Sequence, residues 1–193
     1  MKSFSQFIMK CREIREKSFQ YGAYPVTEEE ALIMYTITFE KAVSMKGLNI
    51  VEVGSGCGYS GVWFLKALED SGYLKNSRMV MIEQNRKRVE ILKKVLKEMG
   101  YFNFAEVKIG DAKEILKTIE SPVHITFLDA AKNEYHVYLK LLDPKMPHGS
   151  IIFAHNFEEY WGMEEYVKIV TDRKKYITSP LPTSLSLAIS IKV

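Results

Sequence analysis

Three glycines alternate in the stretch VEVGSGCGYS and could carry cofactor chemistry. Gly54, Gly56 and Gly58 follow a short apolar run. A chain that turns there from a strand into a helix uses glycine to avoid side-chain clashes and to bring backbone N–H groups close to a ligand. Glu83 ends the next apolar run, where an acid can hold both hydroxyls of a ribose. These residues predict a site for an adenosine-containing cofactor, either S-adenosylmethionine or NAD.

Two further acids favour S-adenosylmethionine. Glu52 stands two residues before Gly54, where a carboxylate would repel the pyrophosphate of NAD but can help to orient an ammonium group. Asp111, in the sequence GDA, can accept the amino hydrogen of adenine, and it is also a good helix N-cap. The Tyr-x-x-x-Lys pair of many NAD-dependent oxidoreductases is missing, since Tyr135 and Lys140 are five residues apart. That class is the weakest alternative.

The bulk composition indicates a globular protein of the cytoplasm. The chain has 193 residues, 47% of them hydrophobic, and a formal net charge of +3. No apolar run approaches the roughly 20 residues that span a bilayer, so we expect no membrane partner. Cys11 and Cys57 are too few for a disulfide framework, which favours a reducing cytoplasm. The mild charge gives no strong indication of nucleic-acid binding.

Apolar runs and helical periods alternate along the chain. Strand patterns occur in LNIVEV, RMVMIE, FAEVKI, HITFLD and SIIFAH, and each is followed by a helix pattern, the last over 163–176. Earlier helix patterns cover about 3–19 and a stretch from a Thr27–Glu30 capping box to about Met45. We therefore expect an α/β fold, a doubly wound Rossmann-like sheet with helices on both faces. It should have about seven strands, mostly parallel, with an antiparallel C-terminal strand, since two tail strands around YITSPLP and SLSLAISIKV should pair antiparallel.

The candidate residues lie where such a sheet binds its ligands, beyond the carboxyl ends of the strands. These strand ends carry Glu52 to Gly58, Glu83, Gly110 with Asp111, Asp129, and Ala154 to Asn156.

The segments VEVGSGCGYS, MIEQN, GDA, FLDAAKNEYHVYL and SIIFAHN occur in the order and spacing of class I methyltransferases. The chain most resembles the cation-dependent O-methyltransferases of the catechol and caffeoyl-coenzyme A type, from about Val26 to the C-terminal strand. The resemblance implies one methyltransferase domain over 1–193, with 1–25 as a helical arm. It implies that S-adenosylmethionine is bound by Glu52, Gly54, Ser55, Gly56, Gly58, Tyr59, Ser60, Glu83, Gln84, Gly110, Asp111, Ala112 and Asp129.

The resemblance also implies a metal site, with one departure. Asp129 and Asn156 match metal ligands of the family, and Lys132 matches its general base. His155 stands where the family normally has aspartate. Imidazole suits a transition metal better than Mg²⁺, so the divalent cation could differ from the family's. Alternatively the metal is gone and His155 is itself the catalytic base, since its ordinary pKa of about 6.5 suits that work. A histidine that only fills a polar pocket is the third alternative.

The expected reaction is O-methylation of a small hydroxylated, catechol-like acceptor. Phe157, Tyr160 and Trp161 follow the last parallel strand and could line an acceptor ring. The loop there is shorter than is usual in the family, which predicts a more open acceptor site. A homodimer is expected from the family. The alternatives are a methyltransferase acting on RNA or a corrin-like ring, and a non-catalytic module that binds the cofactor.

Overall fold

The computed structural model describes residues 3–157 and 162–193, which form seven strands and seven α-helices. The strand order is β3-β2-β1-β4-β5-β7-β6. β1 to β5 are parallel, whereas β7 runs antiparallel to both β5 and β6. The predicted doubly wound sheet with an antiparallel C-terminal strand is therefore confirmed. The strands are β1 (Asn49–Val53), β2 (Arg78–Glu83), β3 (Ala105–Ile109), β4 (Ile125–Leu128), β5 (Ile151–Ala154), β6 (Tyr176–Pro180) and β7 (Ala188–Lys192).

Helices cover both faces of the sheet. The first four helices contribute to one hydrophobic core and the last three to a second core. In β1, Ile50 belongs to the first core, and Val51 and Val53 belong to the second. This alternation follows from the two-residue period of a strand buried on both sides. The helices are α1 (Phe4–Gln20), α2 (Glu28–Met45), α3 (Tyr59–Asp70), α4 (Arg86–Met99), α5 (Ala112–Lys117), α6 (Tyr135–Leu142) and α7 (Glu164–Val170).

The two N-terminal helices begin at side-chain caps. Thr27 and Glu30 form the predicted capping box at the start of α2. α1 packs on α3 through an edge-to-face contact between Phe7 and Trp63, whose ring centroids are 5.1 Å apart. This packing fixes the segment between α1 and α2 over the carboxyl edge of the sheet.

The helix predicted over 163–176 is wrong in its length, since α7 ends at Val170. The side chain of Asp172 accepts a hydrogen bond from the backbone N–H of Lys174 at 3.1 Å, which stabilises a turn instead of another helical turn. Tyr176 then pairs with Lys192 at the start of β6. Strand pairing thus overrides the helical pattern of this segment.

No α-helix within 3–157 and 162–193 is long and apolar enough to span a bilayer.

Candidate functional site

A cavity of about 610 Å³ opens at the carboxyl edge of the sheet, a volume typical of small-molecule sites. Most of the candidate residues line this cavity. They are Gly54, Ser55, Gly56, Tyr59, Ser60, Glu83, Gln84, Gly110, Asp111, Ala112, Asp129, Lys132 and Asn156. Glu52, Gly58 and His155 do not line it, and each lies behind a residue or loop that does. The fold thus brings the glycine loop and the Asp129 region to one continuous space.

The glycine loop is held in left-handed backbone conformations. Gly54, Gly56 and Gly58 have φ angles of +90°, +52° and +96°. The N–H groups of Gly54 and Ser55 both donate to the carbonyl of Ile82, each at 2.9 Å. A Cβ on Gly58 would lie 2.6 Å from Cδ1 of Leu92 in α4. The loop therefore needs glycine for its conformation and for its close packing.

Glu83 fixes the loop from the end of β2. Its Oε2 accepts a hydrogen bond from the Gly56 N–H at 2.9 Å, and its Oε1 accepts one from the Asn85 N–H at 2.8 Å. The side chain is only 5% exposed and lies on the cavity wall. A carboxylate held this firmly is suited to receive the hydroxyls of a ribose.

Glu52 lies beneath the loop and reaches the cavity through Ser60. Its Oε1 accepts a short hydrogen bond from the Ser60 hydroxyl, and Ser60 lines the cavity. Among the described residues, Oε2 has no hydrogen-bond partner. Burial raises the pKa of Glu52 to about 7, against the lowering effect of the Ser60 hydrogen bond. The structure thus places Glu52 as a support for the loop.

The wall at the β3 end includes residues that sequence reasoning missed. Asp111 lines the cavity and also caps α5, since its Oδ1 accepts from the Lys113 N–H at 2.8 Å. The Lys113 ammonium lies 2.6 Å from Glu134 Oε1, and the Tyr138 hydroxyl donates to Glu134 Oε2 at 2.5 Å. Lys113, Glu134 and Tyr138 all line the cavity. Glu134 and Tyr138 are four residues apart on successive helical turns, but no local signal joins them to Lys113, which lies in α5.

The segment between α1 and α2 covers the other side of the cavity. Gly22, Ala23, Tyr24 and Pro25 line it, although the sequence predicted only a break between helices there. The guanidinium of Arg88 donates from Nε to the Tyr21 carbonyl at 3.1 Å and from Nη2 to the Gly22 carbonyl at 2.5 Å. Its Nη1 lies 4.0 Å from Glu83 Oε1. Arg88 thus connects the covering segment to the expected ribose site.

Two nitrogens contact the same oxygen of Asp129 at the end of β4. His155 Nδ1 lies 2.9 Å from Asp129 Oδ1, and Lys132 Nζ donates to that oxygen at 3.0 Å. Lys132 Nζ also donates to the Tyr135 hydroxyl at 2.8 Å. Burial raises the pKa of Asp129, but the contacts with His155 and Lys132 outweigh burial and hold the pKa below its usual value.

His155 is enclosed between two carboxylates. It is 1% exposed, and its Nε2 lies 3.5 Å from Glu30 Oε2, without the geometry of a hydrogen bond. Burial lowers the pKa of His155, but the Asp129 hydrogen bond and the Glu30 contact outweigh it and raise the pKa to about 9. Burial likewise raises the pKa of Glu30, yet His155, Thr27 and Thr183 bring it to about 2. These pKa directions favour the ionised form of both carboxylates and the protonated form of the ring between them.

The residues that the resemblance assigns to a metal do not fit one in this arrangement. Both nitrogens of His155 face carboxylates, so the ring directs no lone pair towards the cavity. Asn156 lines the cavity, and its Nδ2 donates to the Leu185 carbonyl at 3.2 Å. Within the part of the chain that the structure describes, no three His, Cys, Asp or Glu side chains are grouped to hold a metal ion.

One of the three expected acceptor-site aromatics is described by the structure. Phe157 packs edge-to-face on Tyr166, with ring centroids 6.2 Å apart. It belongs to the partly buried residues around the second core. Tyr160 and Trp161 lie outside the described residues.

Comparisons with known proteins agree with this geometry. A family described as a methyltransferase domain matches residues 51–157. A catechol O-methyltransferase of Niastella koreensis is 29% identical over 112 residues, which are 56% of this chain and 48% of that protein. One of Mycobacterium tuberculosis is 25% identical over 116 residues, 60% of this chain and 50% of that protein. The chain thus spans about half the length of these curated relatives.

Solved structures show the same fold. The O-methyltransferase of Bacillus cereus, in complex with S-adenosylhomocysteine, superposes with a TM-score of 0.80. The match covers 96% of this chain and 91% of that chain at 16% identity. At that identity the likeness concerns the fold alone.

Proposed function

This chain belongs to the methyltransferase domain family, and from that premise we propose that it transfers a methyl group from S-adenosylmethionine to a hydroxyl of a small catechol-like acceptor. One observation carries the proposal. A single cavity joins a glycine loop backed by Glu83 to the Lys132–Asp129 pair. The names of the relatives, two catechol O-methyltransferases, support the same acceptor class.

The cavity has the features that the cofactor needs. Gly54, Gly56 and Ser60 would surround the methionine part, Glu83 would hold the ribose, and Asp111 would meet the adenine. When bound, S-adenosylmethionine supplies a sulfonium methyl group: the acceptor oxygen bonds to the methyl carbon, the carbon–sulfur bond breaks with its electron pair on sulfur, and the acceptor's proton is released. The loop and the strand ends contribute by positioning, which can account for much of the rate of such a transfer.

Lys132 is the catalytic residue that we assign to the acceptor. Its ammonium lies on the cavity wall and is fixed by Asp129 at 3.0 Å and by the Tyr135 hydroxyl at 2.8 Å. A fixed positive charge beside the acceptor favours the oxyanion over the neutral hydroxyl and so produces a better nucleophile. Both ring nitrogens of His155 face carboxylates and the residue does not line the cavity, so it is poorly placed to take the proton as a base.

Isotope transfer tests the proposal. The full chain is incubated with S-adenosylmethionine labelled in the methyl group and with one of three acceptors, which are a panel of catechols, total tRNA or a corrinoid. We expect label in the catechols alone. Label in tRNA alone would favour the RNA alternative. Binding of S-adenosylhomocysteine without label in any acceptor, including a corrinoid, would favour the non-catalytic module.

Titration calorimetry separates the cofactor classes independently of the acceptor. We expect S-adenosylhomocysteine to bind and NADH not to bind. The reverse result would contradict the assignment to S-adenosylmethionine.

Two finer expectations stay predictions, the homodimer and the cytoplasmic location. The first is checked by the mass of the protein in solution and the second by fractionation of its own cells. The divalent cation of the resemblance is replaced by a different inference, which the contacts around Asp129 support.

A further inference from the structure

Four ionisable side chains form a continuous array from the buried start of α2 to the cavity. Glu30 contacts His155, His155 contacts Asp129, and Asp129 contacts Lys132. Each of the two carboxylates therefore faces at least one nitrogen, as buried carboxylates require. Glu30 and His155 are 0% and 1% exposed, whereas Asp129 and Lys132 reach the cavity wall.

Glu30 is fixed on three sides, so it can fix the ring in turn. Its Oε2 accepts from the Thr27 N–H at 2.8 Å within the capping box, and its Oε1 accepts from the Thr183 hydroxyl at 2.7 Å. The same Oε2 lies 3.5 Å from His155 Nε2. A helix start and the loop before β7 therefore hold the carboxylate that faces the outer ring nitrogen.

The array occupies Oδ1 of Asp129 and both ring nitrogens of His155. Asp129 Oδ1 already receives Lys132 Nζ and His155 Nδ1, at 3.0 Å and 2.9 Å, and His155 Nε2 faces Glu30. A divalent ion on that oxygen would have to displace both nitrogens and would lie close to the Lys132 ammonium, and like charges at such distances repel strongly. The resemblance to cation-dependent enzymes and the geometry of this chain therefore disagree at one position, His155.

We propose that Lys132 and His155 take the place of a divalent metal on Asp129, with Glu30 as the positioning residue for His155, so that this chain transfers methyl groups without a divalent cation. The catalytic part of the inference rests on the proposed function. The replacement of the metal does not, because it concerns metal binding. The two parts can therefore fail separately.

Metal binding is tested by titrating the full chain with Mn²⁺ and measuring free Mn²⁺ by electron paramagnetic resonance. We expect the wild type to leave Mn²⁺ free at millimolar concentration. The double variant His155→Asp with Glu30→Gln restores an aspartate beside Asn156 and removes the second buried acid. It should bind Mn²⁺ at least about tenfold more tightly than the wild type. Circular dichroism checks that each variant is folded.

The wild type alone can overturn the inference, whatever the variants do. Micromolar Mn²⁺ binding by the wild type that is lost in Asp129→Asn would show a metal site at Asp129. Methyl transfer that is abolished by EDTA and restored by Mn²⁺ would show the same. If neither the wild type nor a variant methylates any acceptor, the proposed function fails. The Mn²⁺ titrations still decide whether Asp129 holds a metal or the nitrogens of Lys132 and His155.

The positioning role of Glu30 has its own readout. Glu30→Gln keeps the size of the side chain but removes its charge. We expect the ¹⁵N resonances of the His155 ring to shift and kcat to fall about tenfold or more, with an unchanged KM for S-adenosylmethionine. Glu29→Gln, on the same helical turn but not buried, is the matched control and should change neither. Unchanged ring resonances in Glu30→Gln would refute the role of Glu30.

Discussion

Gly54 lies against Asp129 where β1 and β4 both end, and a Cβ on Gly54 would stand 2.1 Å from the Asp129 carbonyl oxygen. The N–H of Asp129 donates to the Val53 carbonyl at 2.8 Å, so the two strand ends are joined by hydrogen bonds up to this point. The glycine loop and the charged array therefore share one backbone contact. Any change that separates the strands moves the cofactor site and the proposed catalytic residue together.

Gly54→Ala should destabilise the protein strongly, because the new methyl group meets backbone atoms that cannot move without separating β1 from β4. The left-handed conformation alone costs alanine about 1–2 kcal/mol. The clash adds a further cost of about 1–3 kcal/mol. Gly72→Ala is the matched control, since Gly72 has a similar φ of +82° and nothing within 4 Å of its Cβ position. Urea unfolding measures the free energy of unfolding of each variant. An equal decrease of this free energy in Gly54→Ala and Gly72→Ala would contradict the steric argument.

Glu83→Gln should weaken cofactor binding and loosen the glycine loop locally, because the amide has one acceptor oxygen where the carboxylate accepts both the Gly56 and the Asn85 N–H. The variant also loses the negative charge that would receive the ribose hydroxyls. Losing a charge-assisted hydrogen bond costs about 1.5–3 kcal/mol, so the Kd for S-adenosylhomocysteine should rise about 10- to 100-fold. Calorimetry measures this change. Glu90→Gln, on the exposed face of α4, is the control and should bind S-adenosylhomocysteine as the wild type does. A wild-type Kd in Glu83→Gln would show that Glu83 does not contact the cofactor.

Arg88→Met should release the segment that covers the cavity. The variant loses the hydrogen bonds to the Tyr21 and Gly22 carbonyls. We expect faster hydrogen exchange in residues 21–25 and an S-adenosylhomocysteine Kd about tenfold higher. The exposed neighbour Arg86, changed to Met, is the control. If exchange accelerates and affinity stays constant, the segment does not contact the cofactor.

Much of this organisation is readable from the sequence because it is local. The glycines, Glu83 and Asp129 each end an apolar run, and the confirmed parallel arrangement brings those ends to one edge of the sheet. The roles assigned to these residues stay predictions, but their shared location was foreseeable.

What could not be predicted depends on tertiary packing. Glu30 completes a capping box, which accounts for a glutamate at this position. The capping box gives no indication that Glu30 also faces His155. Lys113 and Glu134 meet only because α5 packs beside α6 and the turn that precedes it. The end of α7 is decided by strand pairing of β6. The wall of the cavity is thus less predictable than the strand ends it surrounds.

Lys132→Met should lower kcat by about 100-fold or more, because the acceptor oxyanion loses its fixed positive partner. The KM for S-adenosylmethionine should stay within about twofold, since the cofactor would be held by the glycine loop and Glu83. Steady-state kinetics with a catechol measures both values. Lys140→Met removes an exposed lysine from α6 and should have no effect on either. A raised KM with an unchanged kcat would make Lys132 a binding residue instead.

The pH dependence of stability should report the charge on His155. Its pKa is raised from 6.5 to about 9 in the folded protein, so the stability it contributes is complete below pH 6.5 and is lost as the pH rises to about 9. The difference in unfolding free energy between wild type and His155→Gln should therefore fall across this window, by on the order of 3 kcal/mol. Urea unfolding at several pH values measures it. Because Asp129 helps to raise the pKa of His155, the same comparison in an Asp129→Asn background should be flatter. A difference that stays constant between pH 6.5 and 9 would mean that the ring is neutral between its two acids.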